Sequence, residues 1–515
     1  MGMWNPMWIC HRGGWSLMRD SLRKFALPLL LFLYVACLFG ATAWFQDGLF
    51  ERDGYYHARF ARMMPERGLS RHFPWTQIST WKDSFCDKEF LYHLAMMPFA
   101  QIGKEPIFGA RLFAGLLSVA VVVTLFCVLR ANRARWPVFF AALPLAMGGL
   151  FIARLGMIRS HVLSMLLILL GVHFLLGRKW RALFVLGFIY AWSYTVPFVL
   201  LITAAPFVLG RWLGRGGVDW RSVMAAGAGS TLGLALHPYT PITLESILTY
   251  VQVFQLGLQG VASSGFELGN EIYPYSLPVF FDIYPLVLIT LPLLVALAVV
   301  WRRRLTPETV GAVLSALLWF GMTMASARFV EYSVLLLTVA LALVCRDACA
   351  DGSGLPVRIL LHRRARLAIL VGALGTLAFF HGYSMKFYAH YQTKAAPPRF
   401  FRGASVWMAR HLAPRETVIN LYWDDFPELF YDAPRQYYLW GLDPTYTIRY
   451  DRETAIDLER MRKGRQPLNG HAMEVLLRSR YLILRASRAG GYPELRLPPF
   501  TEVFRDGSAV LFRID

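Results

Sequence analysis

The chain reads as a polytopic α-helical membrane protein ending in an extracytoplasmic α/β domain. Three observations lead there. Mean hydropathy is +0.42, and only 17% of the 515 residues are charged, where an average soluble domain has roughly a quarter. Apolar runs of bilayer length, about 20 residues with few charges, recur up to residue 384. From residue 385 onward the composition turns ordinary. A soluble cytosolic protein and a disordered basic protein are both excluded.

Eleven spans are predicted, at 26–45, 107–130, 137–153, 158–176, 182–195, 197–210, 222–236, 277–300, 308–325, 329–345 and 367–384. Basic residues orient them. The intervals 1–25, 130–136, 177–181, 211–221, 301–308 and 346–366 hold 21 Lys and Arg against 5 Asp and Glu, which predicts that they are cytoplasmic. The opposite set contains the loop 46–106, with 8 charges of each sign, and the loop 237–276, with three acids and no base. The N-terminus is therefore expected inside and segment 385–515 outside. The first span reads as a signal anchor, because its apolar run is long and no small-residue cleavage site follows it. Most of the net charge of +20 thus sets topology and is no sign of nucleic-acid binding. Only Cys86 of the six cysteines is clearly external, so no disulfide framework is expected there. Phosphate-binding glycine loops and His-Glu-x-x-His zinc motifs are absent from the sequence.

Two external regions are large enough for chemistry, the loop 46–106 and the domain 385–515. In the domain, helices are predicted at Val406–Leu412, Pro427–Tyr431 and Met473–Arg478, and strands at Thr417–Tyr422 and Tyr481–Leu484. A hairpin over Glu502–Arg513 turns at Asp506-Gly507. Alternation of strands and helices implies an α/β fold. The loop 237–276 is apolar and aromatic, broken by Gly257, Gly260 and Gly265, and reads either as a lid over bound substrate or as a re-entrant or interfacial packing element away from the chemistry.

The acids of the first external loop carry the functional reading. Glu51-Arg52-Asp53-Gly54-Tyr55-Tyr56-His57 follows the first span, and Asp87-Lys88-Glu89 precedes Tyr92 and His93 near the second. Asp53 and Asp87, both expected near the outer membrane surface, suit general-base chemistry on an acceptor hydroxyl. Arg154 and Arg159 lie in a short external turn, and Arg328 lies between two spans, three residues before Glu331. Such arginines suit a phosphate, and a helical pair between Arg328 and Glu331 is the plainer alternative.

An acid in an Asp-x-Tyr-Tyr-His context after the first span resembles the first external loop of GT-C membrane glycosyltransferases, most closely the catalytic subunit of oligosaccharyltransferases. Ser326-Ala327-Arg328-Phe329-Val330-Glu331-Tyr332 resembles their Ala-Arg-Phe-x-x-Tyr signature. Glu267 and Glu271 fall where the family keeps an external loop with an essential acid. Trp423-Asp424 is similar to the core of the Trp-Trp-Asp acceptor motif. The resemblance implies Asp53 and Asp87 as catalytic residues and as holders of a divalent metal, magnesium or manganese. It implies Arg328, Arg159 and Arg154 on the donor phosphate, Glu271 and Glu267 in the lid, and Trp423 and Asp424 on the acceptor. One departure is plain. The family's second acidic motif, in the next external loop, is replaced here by Arg154 and Arg159-Ser160-His161.

The function expected is inverting transfer of a sugar or oligosaccharide from a polyprenyl-phosphate or -diphosphate carrier to an extracytoplasmic protein or glycan. The expected setting is a bacterial inner membrane. A lipid-linked sugar flippase and a non-catalytic subunit of a glycan assembly complex are the alternatives. The scarcity of charges within the spans weighs against a transport path.

Overall fold

The computed structural model describes residues 26–41, 48–49, 51–350, 363–395 and 399–515. Among these, Pro106–Ala131, Pro307–Ala325, Ala327–Ala348 and Arg364–His390 are helical, long and apolar enough to cross a membrane. Leu277–Ile283 and Pro285–Val300 add a fifth crossing if their 97° bend lies within one span. Ala26–Ala41, His161–Leu176 and Val199–Leu213 are apolar but shorter. Side chains such as Leu30, Leu293, Val299, Leu370 and Phe379 are exposed on these helices, the surface that lipid covers in an integral membrane protein. The eleven expected spans exceed what length and composition identify among the described residues.

Most of the difference lies in continuous helices of 14–16 residues, such as His161–Leu176 and Trp220–Ala235, and one expected span is broken by proline and glycine. The stretch 137–153 breaks into Pro137–Ala142, Pro144–Met147 and Gly149–Leu155. Pro144 has no amide to donate to the preceding turn. Gly148 is extended, and a Cβ there would stand 2.4 Å from the Tyr284 ring. Elsewhere glycine lets helices touch backbone to backbone. A Cβ on Gly229 would lie 2.0 Å from the Phe184 carbonyl oxygen, and one on Gly210 would lie 2.4 Å from the Gly311 Cα. Association inside a bilayer relies on such close van der Waals contact.

The C-terminal domain holds a five-stranded sheet of order β2-β1-β3-β5-β4: β1 Thr417–Asn420, β2 Tyr437–Tyr438, β3 Tyr481–Arg485, β4 Phe500–Arg505 and β5 Ala509–Ile514. The first three strands run parallel, and β5 lies antiparallel to β3 and β4. Strand alternation sends Val418, Ile483 and Leu511 to one core and Ile419, Leu482 and Val510 to the other. Helices Arg402–His411, Phe426–Asp432 and Gly470–Leu477 and the hairpin match the expected pattern. Strand β2 and helices Thr445–Tyr450 and Arg452–Arg462 add to it.

The first external loop is built into this domain. Residues 75–78 run beside β2, where Tyr438 N donates to Trp75 O at 2.9 Å, and Gln77 N to Tyr438 O and Ile78 N to Leu439 O at 2.8 Å. Tyr56, Phe60, Phe73 and Trp81 from the loop share one aromatic core with Phe426, Phe430 and Tyr438. Arg52 crosses the same junction, 3.4 Å from Glu428 and 3.9 Å from Asp425. Burial pushes the Glu428 carboxyl up to about 7, against the pull of Arg52. A carboxyl that holds its proton more tightly folded than unfolded adds stability at low pH, and that contribution is lost as pH rises through about 7. Glu428→Gln, which keeps an acceptor for Phe401 N, is therefore expected to gain thermal stability relative to the parent between pH 6 and pH 8. Melting curves of both at the two pH values measure it.

Candidate functional site

A cavity of about 640 Å³ lies where the loop 46–106, the C-terminal domain and the segment 269–275 meet the helices. Helix Asp53–Arg67 opens directly onto it. Asp53 is its first residue, and Arg52 at the N-cap makes no side-chain capping bond. Glu51 Oε1 accepts the Asp53 amide at 3.0 Å. The Asp53 carboxylate is turned to the cavity, at a helix N-terminus that favours an anion. Burial and the neighbouring Glu51 push its carboxyl well above the usual range, against the pull of Arg159.

The structure brings the three predicted arginines onto one carboxylate. Arg154, at the end of helix Gly149–Leu155, donates through Nε and Nη2 to Glu331 at 2.9 and 3.1 Å and through Nη1 to Glu271 at 3.0 Å. Arg159 reaches Glu271 at 3.1 Å, Asp53 at 3.1 Å and Glu51 at 3.8 Å. Arg328 stands 3.9 Å from Glu271. Burial penalises the Glu271 charge, yet Arg159, Arg328 and Arg154 hold its carboxyl well below the ordinary value. Glu331, fully buried, is taken by Arg154, so the expected helical pair with Arg328 gives way to this tie between two helices.

Asp87 lies elsewhere in the wall. Its Oδ1 accepts His93 Nδ1 at 2.8 Å, whereas Asp53 pairs with Arg159. Of the two acids expected to hold magnesium or manganese, one therefore faces a guanidinium and the other an imidazole. Among the described residues, the group of His, Cys, Asp and Glu that could hold a metal is His57, Glu89 and His93. Burial holds the His57 imidazole well below its usual value, and Glu89 is kept below the carboxylate range by His57, Lys88 and His93 despite its own burial.

From the C-terminal domain, Trp423 and Asp424 line the cavity, and Asp424 is held by Arg485 and Arg488, each at 3.1 Å. Glu267 does not. It pairs with Arg462 of helix Arg452–Arg462 at 2.7 Å, and Gly265 O accepts Lys463 Nζ at 2.9 Å. The expected lid is a helix, Ile242–Ser264, kinked at Gly260 with φ of 73° and followed by a short turn at Asn270–Ile272. The segment after it is tied at Glu267 to Arg462 of the C-terminal domain and at Glu271 to Arg154 and Arg159. Lys88, buried by Tyr250, Tyr446 and Trp81, donates to the Tyr446 hydroxyl at 3.0 Å. Sequence reasoning assigned no role to His57, Lys88, Glu89 or His93, and it read Glu331 only as a helical partner of Arg328. A signal was present for the histidines: Asp53–His57 and Glu89–His93 are both spaced by four, one helical turn.

Solved structures share this architecture. The apo oligosaccharyltransferase of Archaeoglobus fulgidus aligns with a TM-score of 0.62 at 13% identity, over 90% of this chain and 70% of that one. ArnT from Cupriavidus metallidurans bound to undecaprenyl phosphate gives 0.56 at 14% identity, over 94% and 97%. The arabinofuranosyltransferase AftD from Mycobacteria gives 0.55 at 15% identity, over 96% and 40%. No protein-family model matches the chain, and no curated protein matches it in sequence. The chain shares its fold with these three structures, the layout that the resemblance in the sequence led one to expect.

Removing one partner of a buried, hydrogen-bonded ion pair leaves an uncompensated charge and costs about 3–5 kcal/mol. Glu331→Ala is expected to lower the melting temperature sharply, and Arg154→Met with Glu331→Leu to recover most of the loss. Thermal unfolding of the three purified proteins checks this.

Proposed function

We propose that the chain is an inverting glycosyltransferase that takes a sugar from a polyprenyl-phosphate or -diphosphate carrier and passes it to an extracytoplasmic acceptor. The observation that carries this reading is the wall shared by Asp53, Arg159, Arg328 and Glu271, in one cavity at the junction of apolar helices and a folded external domain. The fold neighbours add to it. One Archaeoglobus fulgidus structure contains dolichol-phosphate and an inhibitory peptide, and ArnT contains undecaprenyl phosphate.

In this reading the loop 46–106 and the external domain face the non-cytoplasmic side. The carrier's chain lies against the helices and its phosphate meets Arg328 and Arg159. Arg328 is the better placed, because its ion pair with Glu271 is long at 3.9 Å, whereas Arg154 is already engaged by Glu331 and Glu271. An acceptor hydroxyl or amide attacks the anomeric carbon from the face opposite the carrier. The bond from that carbon to the phosphate oxygen breaks, the electron pair leaves with the carrier phosphate, and Asp53 takes the acceptor's proton. Its raised affinity for a proton suits a base. Trp423 and Asp424 form the acceptor side of the wall.

Asp53→Asn is expected to slow transfer at least about 10²-fold while polyprenyl-phosphate still binds. Arg328→Ala is expected to weaken carrier binding, seen as a raised KM for the lipid donor. Reconstituted chain, labelled polyprenyl-phosphate sugars and mass spectrometry of surface glycans and glycoproteins from cells lacking the chain supply the measurements. Full transfer by Asp53→Asn would reject the assignment. Lipid flipping without transfer would favour the flippase instead.

A further inference from the structure

Beside the arginine cluster, a second group of side chains has the composition of a metal site. His57 comes from the second turn of helix Asp53–Arg67, Glu89 from the cap of helix Phe90–Ala100 and His93 from that helix's first turn. One ligand atom from each lies within 4.8 Å of the other two, and all three residues are buried and line the cavity. His57 Nδ1 is 2.8 Å from His93 Nε2 and 3.6 Å from Glu89 Oε2. Two ligand atoms, each about 2.1 Å from a tetrahedral ion, stand about 3.4 Å apart. The two separations bracket that spacing.

The surroundings orient these atoms as they do in metal sites. Asp87 Oδ1 accepts His93 Nδ1 at 2.8 Å, which places the ring proton on Nδ1 and leaves the Nε2 lone pair toward His57 and Glu89. A carboxylate behind a ligating histidine fixes its tautomer in this way. Thr195 donates to Glu89 Oε1 at 2.9 Å, on the oxygen opposite the one facing His57. Lys88, between the two acids in sequence, turns to the hydroxyls of Tyr446 and Tyr250, so its ammonium does not fill the space between carboxylate and imidazoles.

We propose that His57, Glu89 and His93 bind a divalent transition-metal ion, with zinc preferred, and that Asp87 positions His93 from behind. The ligand chemistry selects the metal. Two imidazoles and one carboxylate suit zinc, whereas magnesium and manganese favour oxygen sets. Three protein ligands leave a fourth position, and the cavity supplies it for a water or an anionic oxygen. This site is separate from Asp53 and goes beyond the transfer reaction proposed above.

The test uses the full chain in detergent, stripped with chelator, reloaded with zinc or cobalt(II), and measured by metal mass spectrometry and visible absorption. The parent is expected to hold about one zinc per chain and, with cobalt, to show the intense visible bands of a four-coordinate site. His93→Gln and Glu89→Gln are expected to lose at least about nine-tenths of the bound zinc, and Asp87→Asn to weaken affinity about 10–100-fold. Asp53→Asn is expected to keep full stoichiometry, which separates this site from the transfer chemistry. Melting curves show whether each variant is folded, and the cobalt spectrum of the parent decides the matter without any variant. A parent that retains no stoichiometric zinc or cobalt, variants that bind like the parent, or loss of metal in Asp53→Asn would overturn the proposal. The first of these outcomes would leave a proton shared between the two imidazoles.

Discussion

The carboxylate of Glu271 is the point on which the rest of the cavity depends. It belongs to the segment that closes the cavity, yet it is held by arginines from two other parts of the chain and faces a third at the start of a late helix. An unpaired charge in so buried a place would be costly. Each arginine therefore needs Glu271 or a second acid, and each acid needs its arginines. Arg154 is shared with Glu331 and Arg159 with Asp53 and Glu51, so the network extends from the membrane helices to the first residue of the external helix. A phosphate entering this network would compete with Glu271 for the same donors, which links occupancy of the site to the position of the loop that carries it.

The layout of the molecule was legible because its largest signals are compositional. Apolar runs gave helices, and strand alternation around residues 417–420 and 481–485 gave the sheet. What failed to show were interruptions and partners. Pro144 and Gly148 cut a run that hydropathy alone joins, since hydropathy averages over the residue that ends a helix. Strand β2 is two residues long and has no periodicity to detect.

Site residues divide the same way. Asp53, Arg159, Arg328, Glu271, Asp87, Trp423 and Asp424 all line one cavity. Their bonding was not legible, because pairing between residues more than a hundred positions apart leaves no trace in spacing. Glu267 illustrates this. It lies four residues before Glu271 but faces Arg462 in the external domain. Glu331 was read as a neighbour of Arg328 on one helix, and its true partner comes from a different helix. The histidines were visible as letters, but their meeting required two helices to cross.

The strip at residues 75–78 has a consequence in time. Its partner strand β2 lies some 360 residues later in the chain, and contacts so far apart in sequence form late. During synthesis the first external loop emerges long before the strand and the aromatic side chains that it packs against. Asp53 and its helix can be in place before the last part of the cavity wall exists. A chain cut short before residue 437 would keep the arginines and acids of the cavity but lack Leu442, Asp443 and Tyr446 from its wall and the strand that residues 75–78 run beside.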